Sequence, residues 1–237
     1  MGPFDPHGGD DYVYSLMADQ SYKRLGGEFE IPEDATLTFW ASFDIEADWD
    51  FMFVEIRGED GNWTTLADEN GLTVQETGES CASGWVDQLH PHLANYVSDT
   101  CEPSGATGQW NAFTGNSNGW QQVSVDLSAY AGQTVALYIS YASDWGTQGL
   151  GVFIDDVSLG GEIQGFETEG DLGGWEITSA SAEPPFNNWS QISGAGFSEG
   201  PVIRTDTSVL MGFGFEAIDT AANREAVLGR VIDYLMP

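Results

Sequence analysis

Apolar and polar positions alternate with a period of two along several short stretches of this 237-residue chain. In "TLTFWASF" (36–43), Leu37, Phe39, Ala41 and Phe43 fall on one side. In "TVALYISYA" (134–142), Val135, Leu137, Ile139 and Tyr141 do the same. Successive side chains of a strand point to opposite faces, so this spacing predicts strands with one buried face. "FMFVEIR" (51–57), "NWTTL" (62–66) after a "GEDG" turn, "GWQQVSVDL" (119–127) and "GVFIDDVSL" (151–159) extend the series. Short alternating strands with Gly and Asp turns between them predict an antiparallel β-sandwich of jelly-roll type.

One strand breaks its own pattern. In "GVFIDDVSL" two acids, Asp155 and Asp156, stand side by side. Under strict alternation one shares a face with Phe153, Val157 and Leu159, and the other with Val152 and Ile154. An acid therefore points at the core or its rim, where it must find a cation, accept N–H bonds or take up a proton.

Residues 68–118 interrupt the strands with both cysteines, "HPHLANY" and "TGNSNGW". They predict a long loop decorating one end of the sandwich. Cys81 and Cys101 enclose a short loop in a chain rich in Trp, Gly, Ser and Asn, the pattern of a secreted disulfide; two free thiols are the alternative. "GGEIQG" (160–165) reads as a linker, and residues 179–205 show turn chemistry with little periodicity. Then the pattern changes. "SVLMGFGFEAI" (208–218) is apolar on both faces, as in a strand covered on both sides. In 219–235, Val227, Val231 and Leu235 stack at helical spacing beside Leu228 and Ile232, with Asp219 or Thr220 to cap. The expected organisation is thus a sandwich at 1–160, a linker and irregular strand segment at 161–205, and a terminal strand plus amphipathic helix at 206–237. That last unit is an α/β remnant, and its uncovered strand would favour association.

Charge narrows the partners. Six basic residues face 38 acidic ones, for a formal net charge of -32. Such a surface repels nucleic-acid phosphates and anionic membranes. It suits high salt, as in a halophilic source, or an extracellular protein with cation sites. No run of 18 apolar residues exists, and "MGPFDPHGGDDYVYSL" has neither the basic nor the apolar part of a signal peptide. A secreted-looking chain without an export signal suggests a piece of a longer protein.

Several segments resemble known families. "FDIEADWDFMFVEI", "GWQQVSVDLSAYAGQTVALYISY" and "GVFIDDVSL" resemble the MAM-like jelly-roll sandwich of immune-inhibitor-A-type secreted metallopeptidases. "HPHLANYVSDTCEPSGATGQWNAFTGNSNGWQQ", "SDWGTQGLGVFIDDV" and "TDTSVLMGFGFEAIDTAANREAVLGRVIDYL" are similar to the C-terminal region of secreted bacterial zinc carboxypeptidases. The resemblance implies a proteolytic parent with a sandwich inserted near the end of an amidotransferase-like α/β domain. The parent's N-terminal catalytic and α/β segments would then be the missing partners. The catalytic hallmark, His-x-x-Glu, is absent: His7, His90 and His92 are followed by other residues. The helical His-Glu-x-x-His motif is absent too.

The candidate chemistry is therefore non-catalytic. "DIEADWD" places Asp44, Glu46, Asp48 and Asp50 at alternate positions, and a Ca²⁺ ion takes six to eight oxygens. Residues 1–160 hold only Lys23, Arg24 and Arg57 as basic partners, which raises the case for a metal. The expected structural calcium site draws on Glu46, Asp50, Asp155 and Asp156, with no zinc site in this chain. His90 and His92 lack a third ligand, and no G-x-S-x-G elbow is present. Trp110, Trp120 and Trp145 lie near turns and are the candidates for stacking on a ligand, peptide or glycan. The expectation is a non-catalytic, extracellular accessory module of a zinc-carboxypeptidase-like protein. A standalone carbohydrate-binding sandwich is the alternative.

Overall fold

Strand formation follows the alternating stretches. The computed structural model describes residues 5–33, 35–181, 184–194, 202–205, 208–211 and 228. The strands are β1 (Asp11–Tyr14), β2 (Tyr22–Glu30), β3 (Thr36–Asp44), β4 (Phe51–Arg57), β5 (Trp63–Thr65), β6 (Gln121–Asp126), β7 (Thr134–Ala142), β8 (Gly151–Leu159), β9 (Ile163–Gln164), β10 (Glu176–Ser179), β11 (Ser190–Ser193), β12 (Val202–Thr205) and β13 (Ser208–Met211). One sheet runs β11-β1-β8-β3-β6, with β9 also on β8, and a second runs β10-β2-β7-β4-β5. All these pairs are antiparallel. Consecutive strands from β1 to β8 fall in opposite sheets as 1-8-3-6 and 2-7-4-5, apart from the β4–β5 hairpin. That order is the topology of a jelly roll.

The inner faces make one core. Leu37, Phe39, Ala41 and Phe43 of β3 and Val123 and Val125 of β6 pack against Met52, Val54 and Ile56 of β4 and Val135, Leu137, Ile139 and Tyr141 of β7. Each fully buried side chain of this kind stabilises by roughly 1.5–3 kcal/mol.

The first two strands are among those that escape the sequence pattern. β1 and β2 carry Asp11, Lys23, Arg24, Glu28 and Glu30, and β2 has two glycines at its middle. β2 is a strand because it pairs along its whole length with β7, from Tyr22 opposite Ala142 to Glu30 opposite Thr134.

The five-stranded sheet is buried on both sides. Tyr22, Phe51, Phe53 and Ala142 project from its outer face into a second cluster with Cys81, Trp85, Leu93, Tyr96, Val97 and Trp110. The long loop thus lies over a face of the sandwich rather than decorating one end. It contains α1 (Gly78–Ala82), α2 (Trp85–Gln88) and a 3-10 turn (Pro91–Asn95). The Cys81–Cys101 disulfide forms within it.

Residues 161–194 also differ from expectation. They are more than a linker, because β10 extends the five-stranded sheet along β2 and β11 extends the other along β1. Four-residue strands of mostly half-exposed side chains carry too little periodicity to be read. Of the terminal unit, β12 and β13 form a two-stranded sheet of their own. The expected helix at 219–235 lies outside the described residues except for Leu228, which is helical and exposed. No described helix is long and apolar enough to cross a membrane.

The disulfide closes a loop of 20 residues in sequence separation. Replacing both Cys81 and Cys101 by Ser is expected to lower unfolding stability by about 3 kcal/mol, the chain-entropy value for a loop of this size. Urea denaturation under non-reducing conditions measures it; an unchanged midpoint would contradict the loop's role as a fastened layer.

Candidate functional site

Four of the places where the described residues bury ionisable side chains show different solutions to the loss of water. The first lies between the five-stranded sheet and the loop. Glu55 sits in the middle of β4 on its outward face and is 0% exposed. Its Oε2 accepts from Arg24 Nε at 2.8 Å and from the Ser140 hydroxyl. Its Oε1 accepts from Tyr96 OH at 2.8 Å and from Tyr22 OH. Burial pushes this carboxyl up, but the Arg24 guanidinium and the neighbouring His92 together outweigh it and hold Glu55 well below the usual carboxylate range. Arg24 in turn lies over the rings of Trp63, at 4.7 Å, and Tyr138, at 5.0 Å. Its Nη2 approaches His92 Nε2 at 2.6 Å; a guanidinium only donates, so that nitrogen accepts. The loop's Tyr96 and His92 are thereby tied to the sheet's only buried ion pair among the described residues.

The second place is the end of β4. Asp50 is buried and accepts from Tyr141 OH at 2.8 Å and from the Asp144 backbone N–H at 2.9 Å. Among the described residues no cation reaches it, and burial pushes its pKa up to about 7. Glu46 and Asp144 lie close enough to add like-charge repulsion. Nearby, the fully buried His90 contacts Ser143 O through Nε2 at 2.9 Å, and burial lowers its pKa to about 4, so it is neutral. It is a packed histidine of the loop.

The third place holds a cation. Lys23 is fully buried, and its Nζ donates to Ser15 O at 2.7 Å, Leu16 O at 3.0 Å and Asn187 Oδ1 at 2.6 Å. Burial lowers its pKa to about 8. Those three acceptors fasten the segment before β11 to the β1–β2 connection.

The fourth place is the outer face of the other sheet, and it resolves the paired acids. Thr38 faces Ser158 and Trp40 faces Asp155, so one residue of β3 is opposed by two of β8. This is a β-bulge, and Asp156 takes φ 49° there. The bulge resets the alternation: Ile154 and Val157 both enter the core, and neither acid does. Asp155 is buried beneath residues 5–10, which cross the outer face as a strap. Its Oδ2 accepts from the backbone N–H of His7 at 2.8 Å and of Gly8 at 3.0 Å. Burial still raises its pKa to about 6. Asp156 is half-buried, with Oδ2 2.6 Å from His7 Nδ1. The His7 ring stacks on Trp40 at 3.7 Å between centroids. Glu167 accepts from the backbone N–H of Asp10 at 2.8 Å. A Cβ on Gly9, which has φ +56°, would lie 2.1 Å from Glu167 Oε1, so a larger residue there would strain the backbone and push the Glu167 carboxylate aside.

The acids expected to share calcium do not come together. Asp44 faces Gly151, whereas Asp155 lies four residues further along β8, about 13 Å away at the rise of a strand. Glu46 and Asp50 lie beyond the Asp44 end, and Asp155 and Asp156 lie under the strap. Among the described residues, no three His, Cys, Asp or Glu side chains gather so as to hold a metal ion. The four named acids therefore do not fit a single calcium site. The stacking candidates also separate. Trp110 is wholly buried among Phe51, Phe53 and Trp85 and donates to Glu76 O. Trp145 packs half-buried against the same cluster. Trp120 is half-exposed on the strap face and donates to Asp5 O at 3.1 Å. Sequence reasoning does not single out Glu55 or Tyr96, and it names Arg24 only as one of three basic residues. A lone acid inside the apolar run "FMFVEIR", in a region with three basic residues, was the available signal.

Two outcomes follow. Glu55→Gln removes the anion and leaves Arg24 buried without a counter-charge, which costs about 3–5 kcal/mol; urea denaturation at pH 7.5 measures it, and a loss below 1 kcal/mol would contradict the pairing. Asp50 binds its proton near pH 7 when folded and near 4 when unfolded. Between those values the native state holds more protons, so its contribution is fully present below pH 4 and is lost as pH rises through 7. Asp50→Asn is therefore expected to flatten the stability profile between pH 5 and 8 by about 1–3 kcal/mol. Coincident slopes for the two proteins would refute the assignment.

No family model matches the chain. Over 167 residues it is 32% identical to the pre-pro-metalloprotease PrtV of Vibrio cholerae serotype O1, in strains M66-2 and ATCC 39315 / El Tor Inaba N16961. The match covers 69% of this chain but 14% of each relative, so the chain spans a small part of the curated relatives it matches. The chain is thus similar to one region of a metalloprotease precursor, and the likeness extends to metallopeptidases without specifying a carboxypeptidase.

Proposed function

We propose that this chain is a non-catalytic accessory β-sandwich of a secreted metallopeptidase-like protein. The observation that carries the reading is where its reactive side chains are spent. Glu55, His92, Asp50, His90 and Lys23 are all engaged in bonds that hold the loop and strands in place, and none of them lines the three clefts found among the described residues. General acid–base work needs such groups within reach of a substrate. The similarity to a region of a metalloprotease precursor supports the protease association. The finer reading, a zinc-carboxypeptidase-like parent, is supported by the run from His90 to Gln122 and by the terminal segment. Its role there is to stabilise the parent or to present it to a substrate or surface. The disulfide and a relative made as a pre-pro-protein support a place outside the reducing cytosol.

The test is peptide hydrolysis. The purified chain, supplied with Zn²⁺ and with Ca²⁺, is expected to give no turnover of unstructured protein or of C-terminally unblocked peptides above a buffer blank. Turnover that disappears on chelation would overturn the accessory reading.

A further inference from the structure

A cleft of about 470 Å³ opens where three stretches distant in sequence meet, the β4–β5 hairpin, residues 107–109 of the loop and the turn at 129–133 before β7. Its walls include Asp60, Asn62, Thr64, Gln109, Tyr130 and Gln133. The volume falls within the range of about 300–1,000 Å³ typical of small-ligand sites. None of these residues belongs to the four buried sites described above.

The walls are fixed before any ligand arrives. Gln133 joins two of them: its Oε1 accepts from Glu59 N–H at 3.4 Å and its Nε2 donates to Ala129 O at 3.3 Å. The third wall is closed by Gly108, where a Cβ would lie 2.4 Å from Trp63 O and Thr64 Cα. Thr107 donates to Trp63 O at 2.8 Å, and Gln109 N–H donates to Thr64 Oγ1 at 3.1 Å. The Asp60 carboxylate is oriented by Asn62, which reaches Oδ1 through its backbone N–H at 3.0 Å and Oδ2 through Nδ2 at 2.9 Å.

The chemistry of the lining selects the ligand. Amides, hydroxyls and one carboxylate disfavour an apolar molecule. Among the described residues no Lys, Arg or His lines the cleft, and the chain carries a formal charge of -32, so an anion is repelled. A peptide cannot add to the neighbouring edge of β5, because Thr65 N–H already donates to Gln109 O at 3.3 Å. A neutral polyol fits. Its hydroxyls donate to a carboxylate and bond both ends of amide side chains, and the C–H face of a sugar ring packs on an aromatic ring. Tyr130 is the one aromatic side chain of the lining. We propose that this cleft binds a neutral saccharide, with the Tyr130 ring against a sugar face and Asp60, Asn62 and the exposed Gln109 bonding its hydroxyls.

The test uses the full chain and isothermal titration calorimetry. Neutral oligosaccharides (gluco-, xylo- and N-acetylglucosamine series) are compared with uronic-acid and sulfated ones. At least one neutral series is expected to bind at millimolar Kd or tighter, and the acidic ones are not. Gln109→Ala, on an exposed side chain, and Tyr130→Ala are each expected to weaken binding about tenfold, the size of one lost hydrogen-bond set or stacking ring. Tyr130→Phe keeps the ring and is expected to retain most of the affinity, and it also guards against misfolding of the Ala variant. The proposal is overturned if no neutral saccharide binds, if acidic ones bind instead, or if binding is lost in Trp120→Ala and unaffected by Gln109→Ala. It does not rest on the relation to metallopeptidases, so its failure leaves that reading where it stands.

Discussion

The ion pair between Glu55 and Arg24 is the interaction around which the five-stranded sheet and its covering loop are arranged. A carboxylate with no access to water costs several kcal/mol unless its partner and its remaining lone pairs are satisfied. Here all of them are, and the donors come from separate parts of the fold: β2, β7 and the loop. Arg24 faces Ser140 on β7, and Ser140 faces Phe53 on β4, two residues from Glu55. A slip of one residue in the β2–β7 pairing would move Arg24 to the core face, and one in the β4–β7 pairing would move Glu55 there, so either slip breaks the pair. The pair therefore specifies register as well as position. Tyr96, donated by the loop, extends that specification to the third layer.

The rest of the molecule faces the same constraint with fewer cations. Acidic groups vastly outnumber basic ones, so most buried carboxylates rely on neutral donors. Asp50 uses a phenol and a backbone N–H, and Asp155 uses the N–H groups of His7 and Gly8. Neutral donors offset burial less completely than a guanidinium does. That difference explains why Asp50 and Asp155 are pushed up while Glu55 is held down. The strap at 5–10 exists on these terms: its backbone supplies what Asp155 and Glu167 lack, and Gly8 and Gly9 leave room for the oxygens of Asp156 and Glu167.

Part of this was readable in the chain. The inward faces of β3 and β7 follow from period-two alternation alone, and the disulfide follows from two cysteines in a loop-rich stretch. Asp155 and Asp156 were visible as an anomaly, yet their placement was not, because alternation assumes an unbroken register and the bulge adds a residue. Trp110 looked exposed for being near turns. It is buried because the loop folds over the sheet, a tertiary fact with no local signature. β2 was hidden by its own charges, which are tolerable in a strand only because Arg24 meets Glu55 and Lys23 meets three acceptors. The sequence likeness to a region of a metalloprotease precursor agrees with the resemblance seen in the strands only as far as metallopeptidases in general. In the chain's interior, the buried ionisable groups hold strands, loop and strap together.

Hydrogen exchange across the loop tests the central claim, that the Arg24–Glu55 pair holds the third layer on the sheet. Backbone amides of residues 85–113 are compared in the native chain and in Arg24→Met, with the disulfide intact in both. The account predicts that protection in this loop falls by at least about tenfold, while the inward-facing strands β3 and β8 keep theirs relative to global stability. Equal loss of protection in the loop and in β3, or none in the loop, would contradict it.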